Sequence, residues 1–178
     1  PQSRIMPLKV FNPFGLTNSA SIYEAFRYAV DHGARIILCA WATLQASQAI
    51  EAGVSYAKDH GVIVVAAAGD LGVDLSKVPE YPAVLSKKYD NLLSVTSVDS
   101  GDQIVMDSRF PANYGRDFIS IAGPGKEIPV AEPRNDYSSL TSTGAAAGIV
   151  AGALARIPFD PGHPRDAIHQ LIGRSKMI

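Results

Sequence analysis

The chain has 178 residues, 47% of them hydrophobic, and its 16 basic side chains nearly balance 17 acidic ones, leaving a net charge of −1. Near-neutrality removes the electrostatic case for a nucleic-acid or anionic-membrane partner, and no apolar run is long enough to cross a bilayer. The length suits one domain, residues 1–178, with a sizeable core, and the single cysteine, Cys39, excludes an intrachain disulfide.

Hydrophobic periodicity then predicts alternating strands and helices. Arg4 to Phe11 reads as a short strand closed by Asn12-Pro13-Phe14-Gly15. A helix is expected over about Ser19–His32, where Ile22, Ala25, Phe26, Ala29 and Val30 share one face and Gly33 supplies the stop. Arg35–Trp41 reads as an apolar strand, and a second helix over about Ser47–His60 stops at Gly61. Val62–Ala68 shows no polar alternation, as befits a central parallel strand covered on both faces. Strands at Asn91–Val98 and Phe118–Ala122 follow, then a polar loop, a small-residue helix over about Thr143–Arg156, and a last helix from Pro164 to Ile172. The order implies an α/β, three-layer, mostly parallel sheet with helices on both faces. No signal peptide is evident, an observation that describes this stretch alone, which begins at Pro1.

Several motifs, in order, carry a resemblance. Gly61-Val62-Ile63-Val64-Val65-Ala66-Ala67-Ala68-Gly69-Asp70 is followed by Tyr81-Pro82-Ala83, by Asn91 to Asp99, and by Ala122-Gly123-Pro124-Gly125. Leu140-Thr141-Ser142-Thr143-Gly144-Ala145-Ala146-Ala147-Gly148-Ile149-Val150-Ala151-Gly152 opens the small-residue helix. Together these resemble the C-terminal two-thirds of the catalytic domain of the subtilase (subtilisin-like serine protease) family. There the last segment reads Gly-Thr-Ser-Met-Ala-x-Pro-His-Val-Ala-Gly. Registering on Val150-Ala151-Gly152 places Gly144 where the family carries its catalytic serine.

The resemblance implies a site with its chemistry removed. A subtilase needs a serine activated by a histidine that an aspartate orients, and the family carries that aspartate and histidine on segments before the Arg4–Val10 strand. His32, His60, His163 and His169 match no family histidine position. They read as helix-end or surface residues, and they offer no zinc spacing. The family's oxyanion asparagine corresponds to Asp70, whose ionised carboxylate has no proton to donate. The simpler reading of Asp70 is a cap on the turn into Leu71-Gly72. The family's Ser-Leu-Gly-Gly cleft strand corresponds to Ala40-Trp41-Ala42-Thr43, where side chains would crowd an approaching substrate backbone. Trp41 either fills the pocket or packs in the core, with anchoring of a partner as the lesser alternative. Ser142 is a poor substitute nucleophile, because aligning it slips the helix by two residues and turns its small face about 160° from the sheet. Its plainer role is N-cap.

Other patterns are weaker. Gly123-Pro124-Gly125-Lys126 lacks the phosphate-loop spacing. Asp99, Asp102 and Asp107 could hold structural calcium, but without an EF-hand pattern a solvated turn is the expectation. No cofactor is expected. In the family the segment carrying the catalytic aspartate is a central strand of the sheet, so the resemblance implies a gap between the Arg4–Val10 and Arg35–Trp41 strands. Either the strands close up, or the chain is part of a longer polypeptide, or another chain fills the gap. A companion N-terminal segment or a protein partner, an oligomer included, is therefore expected. The functional expectation is a catalytically inactive subtilisin-like domain that binds, scaffolds or regulates. The alternative is the C-terminal part of a serine endopeptidase.

Overall fold

A computed structural model describes residues 3–106 and 108–175. Four parallel strands, β1 (Ile36–Cys39), β2 (Ile63–Ala67), β3 (Leu92–Val98) and β4 (Ile121–Pro124), pair in the order β1-β2-β3-β4. Ile36 lies opposite Ile63, Val64 opposite Leu92, and Val95 opposite Ile121. Helices α1 (Ser19–Asp31) and α2 (Gln48–Asp59) cover one face, while α3 (Thr143–Leu154) and α4 (Pro164–Gly173) cover the other. The expected three-layer subtilisin-like arrangement is present.

Central β2 explains the two cores. Val62, Val64 and Ala66 point into the cluster with Ile22, Phe26 and Val54. Ile63, Val65 and Ala67 point into the other with Ala146, Val150 and Leu154. Successive side chains of a strand face opposite ways, so an unbroken apolar run serves both layers. Helix ends follow local chemistry. Asn18 Oδ1 accepts from Ser21 N, and Ser47 Oγ from Ile50 N. Helices α1 and α2 finish alike, as Tyr28-x-x-x-His32-Gly33 and Tyr56-x-x-x-His60-Gly61. Each histidine Nδ1 donates to the tyrosine carbonyl at 2.8 Å, and each glycine takes the left-handed turn.

Three expectations fail. Arg4–Phe11 forms no strand, and its residues run exposed, or half-buried at the end, with no ladder. A strand needs a paired neighbour, and the sheet gives this segment none. Conversely, the supposed polar loop before α3 contains a hairpin, β5 (Ile128–Glu132) and β6 (Asp136–Leu140), paired antiparallel. Its turn places Arg134 and Asn135 at positive φ. The fourth strand also lies further along than expected, because Phe118 is held in a turn by its amide bonding to Gly115 O.

Candidate functional site

The C-terminal ends of β1 and β2, the start of α3 and the segment before Tyr81 enclose an open cleft of about 630 Å³. One wall is Ala40–Gln45, which leaves β1 and is pinned where Thr43 and Tyr81 exchange backbone hydrogen bonds of 3.0 and 2.8 Å. Trp41 is half-buried, stands edge-on to Phe11 at 6.1 Å, and packs against the α1–α2 core while lining the cleft. It packs against the core and forms part of the cleft wall. The other wall is Ala67 and Gly69–Leu71, with Glu80 and Thr143 at the floor.

The floor is a connected polar network. Thr143 N donates to Asp70 Oδ1 at 2.7 Å, while Gly69 N donates to Thr143 Oγ1 at 3.0 Å. The turn after β2 and the first turn of α3 are thus joined by two hydrogen bonds running in opposite directions. Asn113 is the second hub. Its Oδ1 accepts from Leu71 N and Val73 N, and its Nδ2 donates to Ala68 O and to Glu80 Oε1. Gly69 lies between these groups at φ +103, where a Cβ would stand 2.4 Å from Asn113 Nδ2 and 2.5 Å from Glu80 Oε2. Only glycine fits there.

This corrects the local reading of Asp70. The turn amides at Leu71 and Val73 already have Asn113, and Gly72 N bonds to Pro111 O. The buried amide at the start of α3 lacks an intrahelical acceptor and takes the carboxylate instead. Burial raises the Asp70 carboxyl above its usual range, and the Thr143 hydrogen bonds oppose that shift without cancelling it. Glu80 is also raised, first by burial; Asn113 opposes, and the charge of Asp70 adds to the rise.

Ser142 is the N-cap of α3, its Oγ accepting from Ala145 N at 3.0 Å. A cap already engaged by a helix amide is poorly placed to attack. Gly144 is the second residue of α3, and a Cβ there would meet Ala40 O at 3.1 Å. His32 and His60 are C-caps and His163 is the N-cap of α4, so none enters the cleft. Asp99 Oδ1 accepts from Gly101 N and Gln103 N, the hydrogen bonding of a turn. Asp107 lies outside the described residues. Among the described residues no three side chains of metal-binding type converge.

Glu80 and Asn113 escape a reading of the sequence. Glu80 directly precedes the Tyr81-Pro82 landmark and was open to notice there. Asn113 has no local signal, since its four hydrogen bonds reach 33 to 45 residues away.

Comparison with known proteins agrees with this architecture. The model of the subtilase family (Peptidase_S8) matches residues 1–172. Thermitase of Thermoactinomyces vulgaris is 32% identical over 152 residues, 85% of this chain and 50% of that protein. A thermophilic serine proteinase of Bacillus sp. (strain AK1) is 30% identical over 172 residues, 97% of this chain and 40% of that protein. Among solved structures, the prenylagaramide maturation protease PagA superimposes with a TM-score of 0.67 at 25% identity, covering 82% of this chain and 51% of that one. The chain thus spans about half the length of the relatives it matches. With the family model matched over nearly its whole length, the chain belongs to the subtilase family.

Proposed function

We propose that this subtilisin-like domain is catalytically inactive and serves a binding, scaffolding or regulatory role. The observation carrying the proposal is the Thr143 N to Asp70 Oδ1 hydrogen bond at 2.7 Å. Asp70, at the position of the family's oxyanion asparagine, is thereby held as an acceptor for an amide at the start of α3 and offers no donor to a developing oxyanion. Losing one oxyanion donor costs about 10²–10³ in rate, and a fixed negative charge adds to that loss. Gly144 supplies no hydroxyl at the vestigial nucleophile position, and Ala40–Thr43 replaces the glycines of a substrate-pairing strand. Three departures at separate parts of one site fit a repurposed fold better than a single lesion.

A second reading, the C-terminal part of a serine endopeptidase, draws support from the protease relatives, of which this chain matches only about half. A serine-directed fluorophosphonate probe on the full-length protein separates the two. No labelling is expected, and labelling at Ser142 would overturn the inactive reading. Loss of a triad serine typically lowers turnover by about 10⁶, so any remaining hydrolysis would lie near background.

We also propose that a companion segment or protein partner completes the sheet at β1. Among the described residues its outer edge has no neighbour in the sheet order, and Leu38 is 44% exposed. An open apolar edge is a template for strand addition. A monomeric, cooperatively unfolding preparation of these 178 residues alone would count against it.

A further inference from the structure

We propose that the partner completing the sheet at β1 is a second copy of this chain, whose arm Arg4–Phe11 adds as a strand to the open β1 edge while the first copy's arm does the same in return. The proposal names the occupant of that edge and rests on the sheet-completion reading above.

Edge and arm lack complementary things. Ile63 N donates to Arg35 O at 3.1 Å, so Arg35, Ile37 and Cys39 turn their backbone groups to β2. The backbone groups of Ile36 and Leu38 alternate with these and point to the edge, where among the described residues no strand lies. The arm has the opposite deficit. Residues 3–9 are all exposed, Ile5 at 91%, and the arm joins no ladder. Its root is fixed independently of the rest. Phe11 stands against Trp41, and Asn12 Oδ1 accepts from Phe14 N and Leu16 N. An arm anchored only at its root passes to a neighbouring copy at low cost.

The arm's sequence suits an edge strand. Alternate residues of a strand direct their backbone groups to opposite sides, so Met6, Leu8 and Val10 form one set and Ile5, Pro7 and Lys9 the other. With the Met6 set facing β1, Pro7 lies on the outer side and its missing amide costs no ladder bond. Pro7 and Lys9 then blunt the new edge against a third chain, and a reciprocal exchange closes at two copies. Charge agrees. Arg4 and Lys9 are the arm's only charged side chains, whereas the whole chain carries −1, so a cationic arm meets an acidic body. Within its own chain the arm is rooted beside Trp41 and still makes no ladder with β1, which favours acceptance by the other copy.

Sedimentation of the full-length protein should show a concentration-dependent dimer. Leu8→Pro removes an amide on the ladder side and should weaken dimerisation by about tenfold or more. Pro7→Ala, on the outer side, should leave it within about twofold. A peptide of residues 3–11 should compete and convert dimer to monomer. A dimer that neither Leu8→Pro nor the peptide disturbs pairs elsewhere and overturns the exchange. Hydrogen exchange at the Leu38 amide keeps the two proposals apart. A monomer in which that amide is protected has its edge filled by a companion segment or by its own arm, which overturns the second copy alone. A monomer in which it exchanges freely overturns sheet completion as well.

Discussion

Strands β1 and β2 are parallel neighbours written in nearly the same alphabet, Ile36-Ile37-Leu38-Cys39 against Ile63-Val64-Val65-Ala66-Ala67. Every residue of β2 is buried, while β1 is fully buried only at Cys39. The difference is not in the side chains. Strand β2 has a partner on each edge and a helix layer on each face; β1 has a partner on one edge only. Apolar composition records the surroundings a strand is built for, and β1 is built for more cover than the described residues provide.

This contrast between a finished centre and an unfinished rim can be broken or sharpened by mutation, beginning at the centre. Gly69→Ala places a methyl group on Asn113 and Glu80 and forces a strained φ, at a cost of about 3 kcal/mol or more in urea unfolding of the full chain. A loss below about 1 kcal/mol would mean that the floor is looser than described. Asn113→Ala strands two amides, a carbonyl and the Glu80 carboxylate, and should cost about 2–4 kcal/mol by the same measurement.

At the rim the signs change. Gly148 lies on α3, and a methyl group added there would meet nothing within 4 Å. Gly148→Ala should therefore stabilise by up to about 1 kcal/mol through helix propensity alone. A loss instead would show that this face is covered in the full chain. The carboxylate floor gives a smaller, pH-dependent effect. Asp70 and Glu80 have folded-state pKa values above their ordinary ones. Their contribution is therefore fully present below the ordinary carboxylate range and is lost as pH rises through the raised folded values. Glu80→Gln should flatten that decline above the ordinary carboxylate range, seen as a growing advantage over the parent in thermal melts as pH rises. Leu38→Lys should leave the chain's own stability within about 0.5 kcal/mol. Its effect should appear in weakened association with whatever pairs with β1, read by sedimentation.

Much of the fold was legible because local chemistry and tertiary need coincide. Gly33 and Gly61 mark helix ends wherever the chain is placed, and β2 is apolar enough to demand cover on both faces. Arg4–Phe11 misled because β propensity is expressed only beside a partner. The hairpin at Ile128–Leu140 was hidden because every residue of β6 is exposed and no period-two pattern survives, while its turn uses Arg134 and Asn135 in place of a glycine. In the cleft, the Ser142 cap followed from position alone. The partner of Asp70 did not, because Thr143 lies 73 residues away and no local pattern announces it.

On the proposed inactive reading, the paired hydrogen bonds between Gly69–Asp70 and Thr143 also bear on whether the domain has a route to hydrolysis. A lone Gly144→Ser exchange would restore a hydroxyl beside a helix start whose amide still answers to a carboxylate. A lone Asp70→Asn exchange would restore a donor with nothing to attack. Neither step is rewarded without the other: Asp70→Asn alters the carboxylate that joins the turn after β2 to α3, and a side chain at Gly144 crowds Ala40 O. On that proposed reading, drift towards hydrolysis meets a threshold rather than a slope.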